Sequence, residues 1–333
     1  MSDRIQLESI GELIAAVPSM LSFVPVSSIV MVFLHAGRIS FVVRTDFGSG
    51  GRPRTGESIL AADDADSVIV IVVAKDRAFR EVLDETDRVT ATLLGSGLSV
   101  QGIYYTPSID GGETWTDMRL FETGTVVDPT TTEVAAATVL NGKTVTRSRE
   151  EIVARYRRGD GTTSADRRRA RTARDIMGEN FPRSVLAELA DAVTYRIEPS
   201  AALAAQVGLL ITTDIQARDA ILGLAVIDPA AASEAMAAVA RRLHGPERVA
   251  ALTVAGFFAY VNFQGPDAGC AFDAAREEAA LHPRSDTRLL GLVEQALEVG
   301  LHPTKLRTLS GTGVGIARRD FGVELPAPGH DWL

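Results

Sequence analysis

Five arginines fall within eight positions, Arg167, Arg168, Arg169, Arg171 and Arg174, and no other stretch of the chain concentrates reactive side chains so tightly. Guanidinium groups grip phosphates and carboxylates through paired hydrogen bonds. At helical spacing Arg167, Arg171 and Arg174 share one face. The chemistry available there is capture of an anion: RNA, a nucleotide or an acidic protein surface. The plainer reading is a solvated connector resting on acidic neighbours. Tyr156 is the one aromatic close by, so the interleaved rings that stack single-stranded bases are missing.

Elsewhere the candidates are thinner. Arg44 closes one apolar strand-like run and Lys75 and Arg77 follow another, and the loops after Val43, Ala74 and Tyr105 could hold a small anion at the carboxyl ends of a sheet. Gly48–Gly56, with Arg52 and Arg54, could wrap an anion in backbone N–H groups, but lacks the lysine and helix start of a phosphate loop. Gly311-Thr312-Gly313-Val314-Gly315 has no strand–helix–strand unit around it and reads as a tail or turn. Asp63, Asp64 and Asp66 form a carboxylate cluster in a loop ahead of a strand. His244, His282 and His302 read as helix-end residues, His35 as part of a turn, and Cys270 as a small core residue among alanines. No nucleophile stands beside a base, no histidines and thiols have metal-ligand spacing, and no cofactor fingerprint is present. Catalytic, cofactor and metal sites are therefore not expected.

The elements that would position these residues fall into two kinds. At 333 residues two domains are expected. Ser9 and Glu12 make a capping box ahead of a short helix whose exit Pro18 and Pro25 bracket. Ile29–Leu34 and Ile39–Arg44 read as a hairpin across a Gly37-containing turn. Ser67–Ala74 is a buried strand, Asp76 is placed to cap the amphipathic helix after it, and Leu98–Tyr105 is the next strand. This order predicts a parallel pair with a right-handed crossover, and Thr114–Phe121 adds a hairpin arm. After Thr130 the strand signals stop. Ser148 to Glu151 opens a helix reaching about Arg157, and helical patterns follow over residues 184–195, 200–211, 214–226, 230–243, 246–262, 267–281 and 285–299. The fold expected is an N-terminal α/β domain with a small mixed sheet (1–140), a basic helical connector (141–183), an all-α array with tetratricopeptide-like hairpins (184–310), of which Leu252–Pro283 is the best example, and a tail (311–333).

Charge follows these divisions: the three parts up to residues 140, 183 and 333 carry −9, +6 and −6. Acidic bodies argue against general nucleic-acid binding, since duplex affinity rests on many cationic contacts. The longest apolar runs, Ile29–Leu34 and Val68–Ala74, fall far short of the roughly 18 residues that span a bilayer. With no secretory pattern at Met1-Ser2-Asp3-Arg4 and Cys270 unable to pair within the chain, a cytoplasmic protein with no membrane role is expected.

Several stretches carry a likeness. Glu12 to Pro18, Leu21 to Pro25, Ser27 to Val30, Ala217 to Leu222, the Gly265–Pro283 hairpin and Leu289 to Pro303 together resemble the actinobacterial family catalogued as domain of unknown function 4192. The resemblance spans nearly the whole chain and implies this lineage and fold, but no activity. It departs in two places. Family members carry a longer helix where only Glu57–Ala62 stands here, and many follow the tryptophan with a cysteine cluster, whereas Trp115 is followed by Thr116-Asp117-Met118-Arg119. A metal or redox role tied to that cluster does not transfer. The functional expectation is a non-enzymatic interaction or regulatory module that offers its helices to a protein partner. The alternatives are an α/β domain binding or acting on a small anionic metabolite or nucleotide, and nucleic-acid binding through the arginine run.

Overall fold

The computed structural model describes residues 6–49, 65–95, 97–140, 145, 148–298 and 301–326. Arg52, Arg54, the helix expected at Glu57–Ala62, and Asp63 and Asp64 lie outside the described residues. The chain divides into two units, Met1–Glu151 with Glu298–Gly300, and Ile152–Leu297 with Leu301–Leu333.

The first unit is built on a six-stranded mixed sheet in the order β2-β1-β3-β4-β5-β6. β1 (Ser28–His35) and β2 (Arg38–Asp46) form the expected hairpin, and both turn residues, Ala36 and Gly37, have positive φ, as a two-residue turn of matching twist requires. β3 (Ser67–Val73) runs antiparallel to β1 and parallel to β4 (Ser99–Thr106), with α2 (Phe79–Leu94) as the crossover. β5 (Thr114–Asp117) and β6 (Thr123–Thr125) supply the hairpin arm. Val82, Val89 and Leu93 of α2 cover Ile29, Met31, Phe33, Val68, Val70 and Val72 on one sheet face. The alternate residues Val30, Val32 and Ile71 are equally buried on the other, where α1 (Ile10–Leu21) lies against β2 and α3 (Glu133–Leu140).

α1 runs to Leu21 and stops at Ser22, whose φ of 64° is left-handed, so its exit falls between Pro18 and Pro25 as expected. Two local expectations need correcting. Asp76 does not cap α2. It takes a φ of 59° in the connecting turn, and the capping position is Ala78, which has no side chain to offer. In the opening capping box Ser9 accepts from the Glu12 N–H, while the Glu12 carboxylate takes the Glu8 N–H instead of closing back on Ser9.

The second unit is all helical: the end of α4 (Arg149–Arg155), α5 (Ser164–Met177), α6 (Asn180–Thr194), α7 (Ala201–Thr213), α8 (Ile215–Leu222), a 3₁₀ turn at Gly223–Val226, α9 (Pro229–Arg242), α10 (Gly245–Val261), α11 (Gly265–Leu281), α12 (Arg288–Glu298) and α13 (Pro303–Phe321). α10 is buried along most of its length between α9 and α11. Gly256 lets the Phe272 ring of α11 approach so closely that a Cβ there would stand 2.3 Å from it. Pro229, Pro246, Pro266 and Pro303 all sit in first helical turns, where the missing N–H costs nothing. The sequence's main misreading is at the end. Gly311 to Gly315 is neither turn nor tail but lies within α13, which crosses α8 and the 3₁₀ turn. Gly313 and Gly223 meet backbone to backbone: a Cβ on Gly313 would stand 2.5 Å from the Gly223 nitrogen. These glycines are there for close approach and not for bending. No helix among the described residues is long and apolar enough to cross a membrane.

Candidate functional site

The cations expected to meet beyond the sheet do not converge. Arg44 alternates with Val43 on β2, and Val43 packs on the α2 side, so Arg44 leaves from the opposite face. Its Nε donates to Ser28 Oγ at 2.8 Å, its Nη1 lies 2.6 Å from Asp46, and the side chain is only 15% exposed. Arg77 sits on the α2 side, 5.3 Å above the Phe47 ring and 3.7 Å from Glu81. Lys75 is exposed and makes no hydrogen bond or ion pair among the described residues. Close by, the strand ends are tied together: Ala74 N–H donates to Thr106 O and Tyr105 Oη donates to Ala74 O. Asp66 accepts from Ala36 N–H and from Ser67 Oγ, and these bonds hold its carboxyl below the usual range.

The arginine run behaves differently. Thr163 and Asp166 cap α5 reciprocally, which fixes its start. Ala170 is its one buried residue, and the helix packs on α7. The expected shared face is partly realised. Arg167 reaches the His244 ring, and Arg167 and Arg171 both act on Glu247, whose carboxyl is raised by burial against their opposing pull. Arg174 pairs with its neighbour Asp175 at 3.3 Å. Arg169 is 79% exposed with Asp166 at 3.8 Å, and Arg168 is exposed with no hydrogen bond or ion pair among the described residues.

Beside α5 lies a polar cluster that the sequence does not announce. The Gly159–Thr162 segment is laid on the end of α9, Gly159 N–H donating to Arg241 O and Thr162 N–H to Arg242 O. This brings Arg158 to Glu278 of α11, where its Nη2 lies 2.8 and 2.7 Å from the two carboxylate oxygens. Glu278 is 6% exposed and also receives the Gly245 N–H at 2.6 Å and Arg248 Nε at 3.2 Å. Arg248, equally buried, donates its other nitrogens to Ala240 O and Tyr156 O. His282 Nε2 stands 3.4 Å from the same carboxylate, and its ring lies 3.7 Å from where a Cβ of Gly245 would be. Burial pulls the Glu278 carboxyl upward, but the Gly245 N–H, Arg158 and Arg248 outweigh it and hold it below its ordinary value. His244 is depressed by burial first, then by Arg167 and Arg158. It is thereby kept neutral beside cations.

A second network pins the start of the unit. Tyr156 Oη donates to Asp267 at 2.8 Å, and Arg155 approaches the same carboxylate at 3.2 Å. Burial raises Asp267 against both partners. In neither network does a nucleophile stand beside a base, and Cys270 is buried within α11. Among the described residues no group of three or more histidine, cysteine, aspartate or glutamate side chains could hold a metal. The cluster can bind an anion or hold helices together.

Sequence reading picked out Arg167, His244 and His282, but separately; it set Arg158-Gly159-Asp160 aside as an accidental triplet and passed over Arg248 and Glu278. One signal was available: Glu278 and His282 are four apart on one helix, so they share a face.

No curated protein and no solved structure matches the chain. The model of the family described as Domain of unknown function (DUF4192) matches residues 11–304. Covering most of the sequence, and both the sheet and the helical array, that match places the chain in the DUF4192 family.

Proposed function

We propose that this chain is a non-enzymatic interaction module of an actinobacterial cytoplasm, and that its helical unit takes an acidic protein partner on the outer side of α5. The observation that carries the reading is the division of labour on that helix. Arg167 and Arg171 are drawn toward Glu247 and Arg174 pairs with Asp175, whereas Arg168 and Arg169 are exposed on a helix that buries one alanine and needs neither for its core. An arginine row that stability does not require is a recognition surface for carboxylates. The buried single cysteine suits a reducing compartment.

The test is binding of a poly-glutamate peptide and of single-stranded RNA to the full chain over a salt series. The reading expects peptide binding that weakens with salt and is lost in the double variant Arg168→Ala, Arg169→Ala, whose far-ultraviolet circular dichroism stays that of the parent. RNA bound in preference to the peptide, with a steep salt slope, would transfer the surface to nucleic acid. Absence of binding to both would remove the reading.

A small-anion site on the α/β unit is the second reading. It is favoured by Lys75 and Arg77 flanking the start of α2, where Ala78 supplies no side-chain cap.

A further inference from the structure

Around His244 the donors outnumber the acceptors. Arg158, Arg167, Arg171 and Arg248 bring four positive charges to this corner of the helical unit, and Glu278 and Glu247 bring two negative ones. Glu278 is already saturated by Arg158, Arg248 and the Gly245 N–H. Glu247 is drawn by Arg167 and Arg171. Two positive charges therefore remain uncompensated, next to two imidazoles that can each offer a ring N–H.

We infer that Arg158, Arg167, His244 and His282 form a seat for a phosphate-type oxyanion, one that takes inorganic phosphate or the phosphate group of a small monoester. The floor of the seat, Arg248 and Glu278, has side chains 6% exposed, so an anion resting on it is little screened by water. Its rim is open: the Arg158 side chain is 51% exposed and His282 40%. Glu278 occupies one edge of Arg158 through a single nitrogen, Nη2, which leaves the rest of the guanidinium fork free to donate. Arg167 meets a histidine ring and no carboxylate within ion-pair distance among the described residues. A phosphate monoester near neutral pH carries a charge of about −1.5 to −2, which matches the excess. The backbone is shaped for this corner too. Gly245 has a φ of 62°, and the His282 ring lies against the space a side chain there would approach. The seat is separate from the outer arginines Arg168 and Arg169, so it does not depend on the acidic-partner reading.

The test is titration of the full chain with inorganic phosphate, against chloride at equal ionic strength, followed by calorimetry and by the histidine ring resonances in NMR spectra. The expected result is saturable binding, with the His244 and His282 signals moving together along the same isotherm. Affinity should drop at least tenfold in Arg167→Gln and in His282→Gln, and remain unchanged in Arg168→Ala. Glycerol phosphate is the second arm: tighter binding than phosphate identifies a phosphorylated metabolite as the natural source, and equal binding identifies free phosphate. Three outcomes would overturn the assignment: no saturable response to phosphate, a response with both histidines unmoved, or a response abolished by Lys75→Ala and untouched by His282→Gln, which would place the anion on the α/β unit. Loss of poly-glutamate binding in the double variant Arg168→Ala, Arg169→Ala with phosphate binding intact would separate the two proposals.

Discussion

In the α/β unit Arg44 and Arg77 stand on opposite faces of the sheet, each satisfied locally, one by Ser28 and Asp46 and the other by Phe47 and Glu81. In the helical unit Arg158, Arg248 and His282 arrive from three separate elements at one buried carboxylate. The difference follows from geometry. Arg44 stands on β2, where alternation turns it away from the α2 side, and Arg77 stands in the turn before α2, on that side. Helix ends gathered by short turns bring residues far apart in sequence to one corner. The sheet unit thus spreads its charge and the helical unit pools it, and pooled charge is where a ligand or a stability switch can act.

The comparison breaks most visibly if the shared carboxylate is neutralised. Glu278→Gln keeps the shape but leaves Arg248 buried without its counterion, and removing one partner of a buried pair costs about 3–5 kcal/mol. Arg44→Met is the matched change in the sheet unit. It frees Asp46, which is 61% exposed and readily hydrated, so the cost there is about 1 kcal/mol. Urea unfolding followed at 222 nm compares the two. Equal losses would mean that the helical cluster is no more than a set of local pairs.

Acidification sharpens the same contrast, because His244 is partly buried among cations whereas His35, at the end of β1, is exposed. Its folded value is depressed, by burial first and then by Arg167 and Arg158, with His282 adding to them and Glu278 opposing. An unfolded histidine titrates at about 6.5, so between the two values the unfolded state binds more protons and stability falls as pH falls. The stabilising contribution is complete above about pH 6.5 and is lost as pH drops through the folded value. Glu278 has the same sign at lower pH: its contribution is present above about pH 4.3 and is lost below. His244→Gln should therefore flatten the fall in thermal midpoint between about pH 7.5 and 5.5 while leaving the steeper carboxylate loss below it. A variant curve parallel to the parent's would show that His244 is not the titrating group.

How far these features could be read beforehand differs between the units for the same reason. Strands such as Val68–Val73 and the Ala36–Gly37 hairpin turn are local signals, and both the sheet elements and the parallel pair were legible. So were most helices between α6 and α12, marked by Pro at first turns. α13 was not, because glycine spacing is the same in a flexible tail and in a close helix crossing, and only the partner Gly223, ninety residues away in sequence from Gly313, distinguishes them. The five arginines were legible as a helix face, but which of them turn inward depends on His244 and Glu247. The Glu278 cluster was illegible except for its spacing to His282, since Arg158 reaches it across 120 positions of sequence.

The smallest effect expected tests the other side of the comparison. If the sheet unit spreads its charge so that no single cation matters, Arg77→Ala should cost little. Arg77 loses a contact 5.3 Å above Phe47, about 0.5–1 kcal/mol for a cation over an exposed ring. It also loses an i,i+4 pair with Glu81 at 3.7 Å, about 0.3–0.5 kcal/mol for an exposed helix pair and screened by salt. The prediction is a loss near 1 kcal/mol that shrinks in high salt, measured by urea unfolding at two ionic strengths. The surviving part in high salt belongs to Phe47, since ring contacts are screened less than exposed ion pairs. A loss as large as that of Glu278→Gln would mean that Arg77 and Lys75 sit in a pooled site of their own, and the small-anion reading of the α/β unit would then displace the helical one.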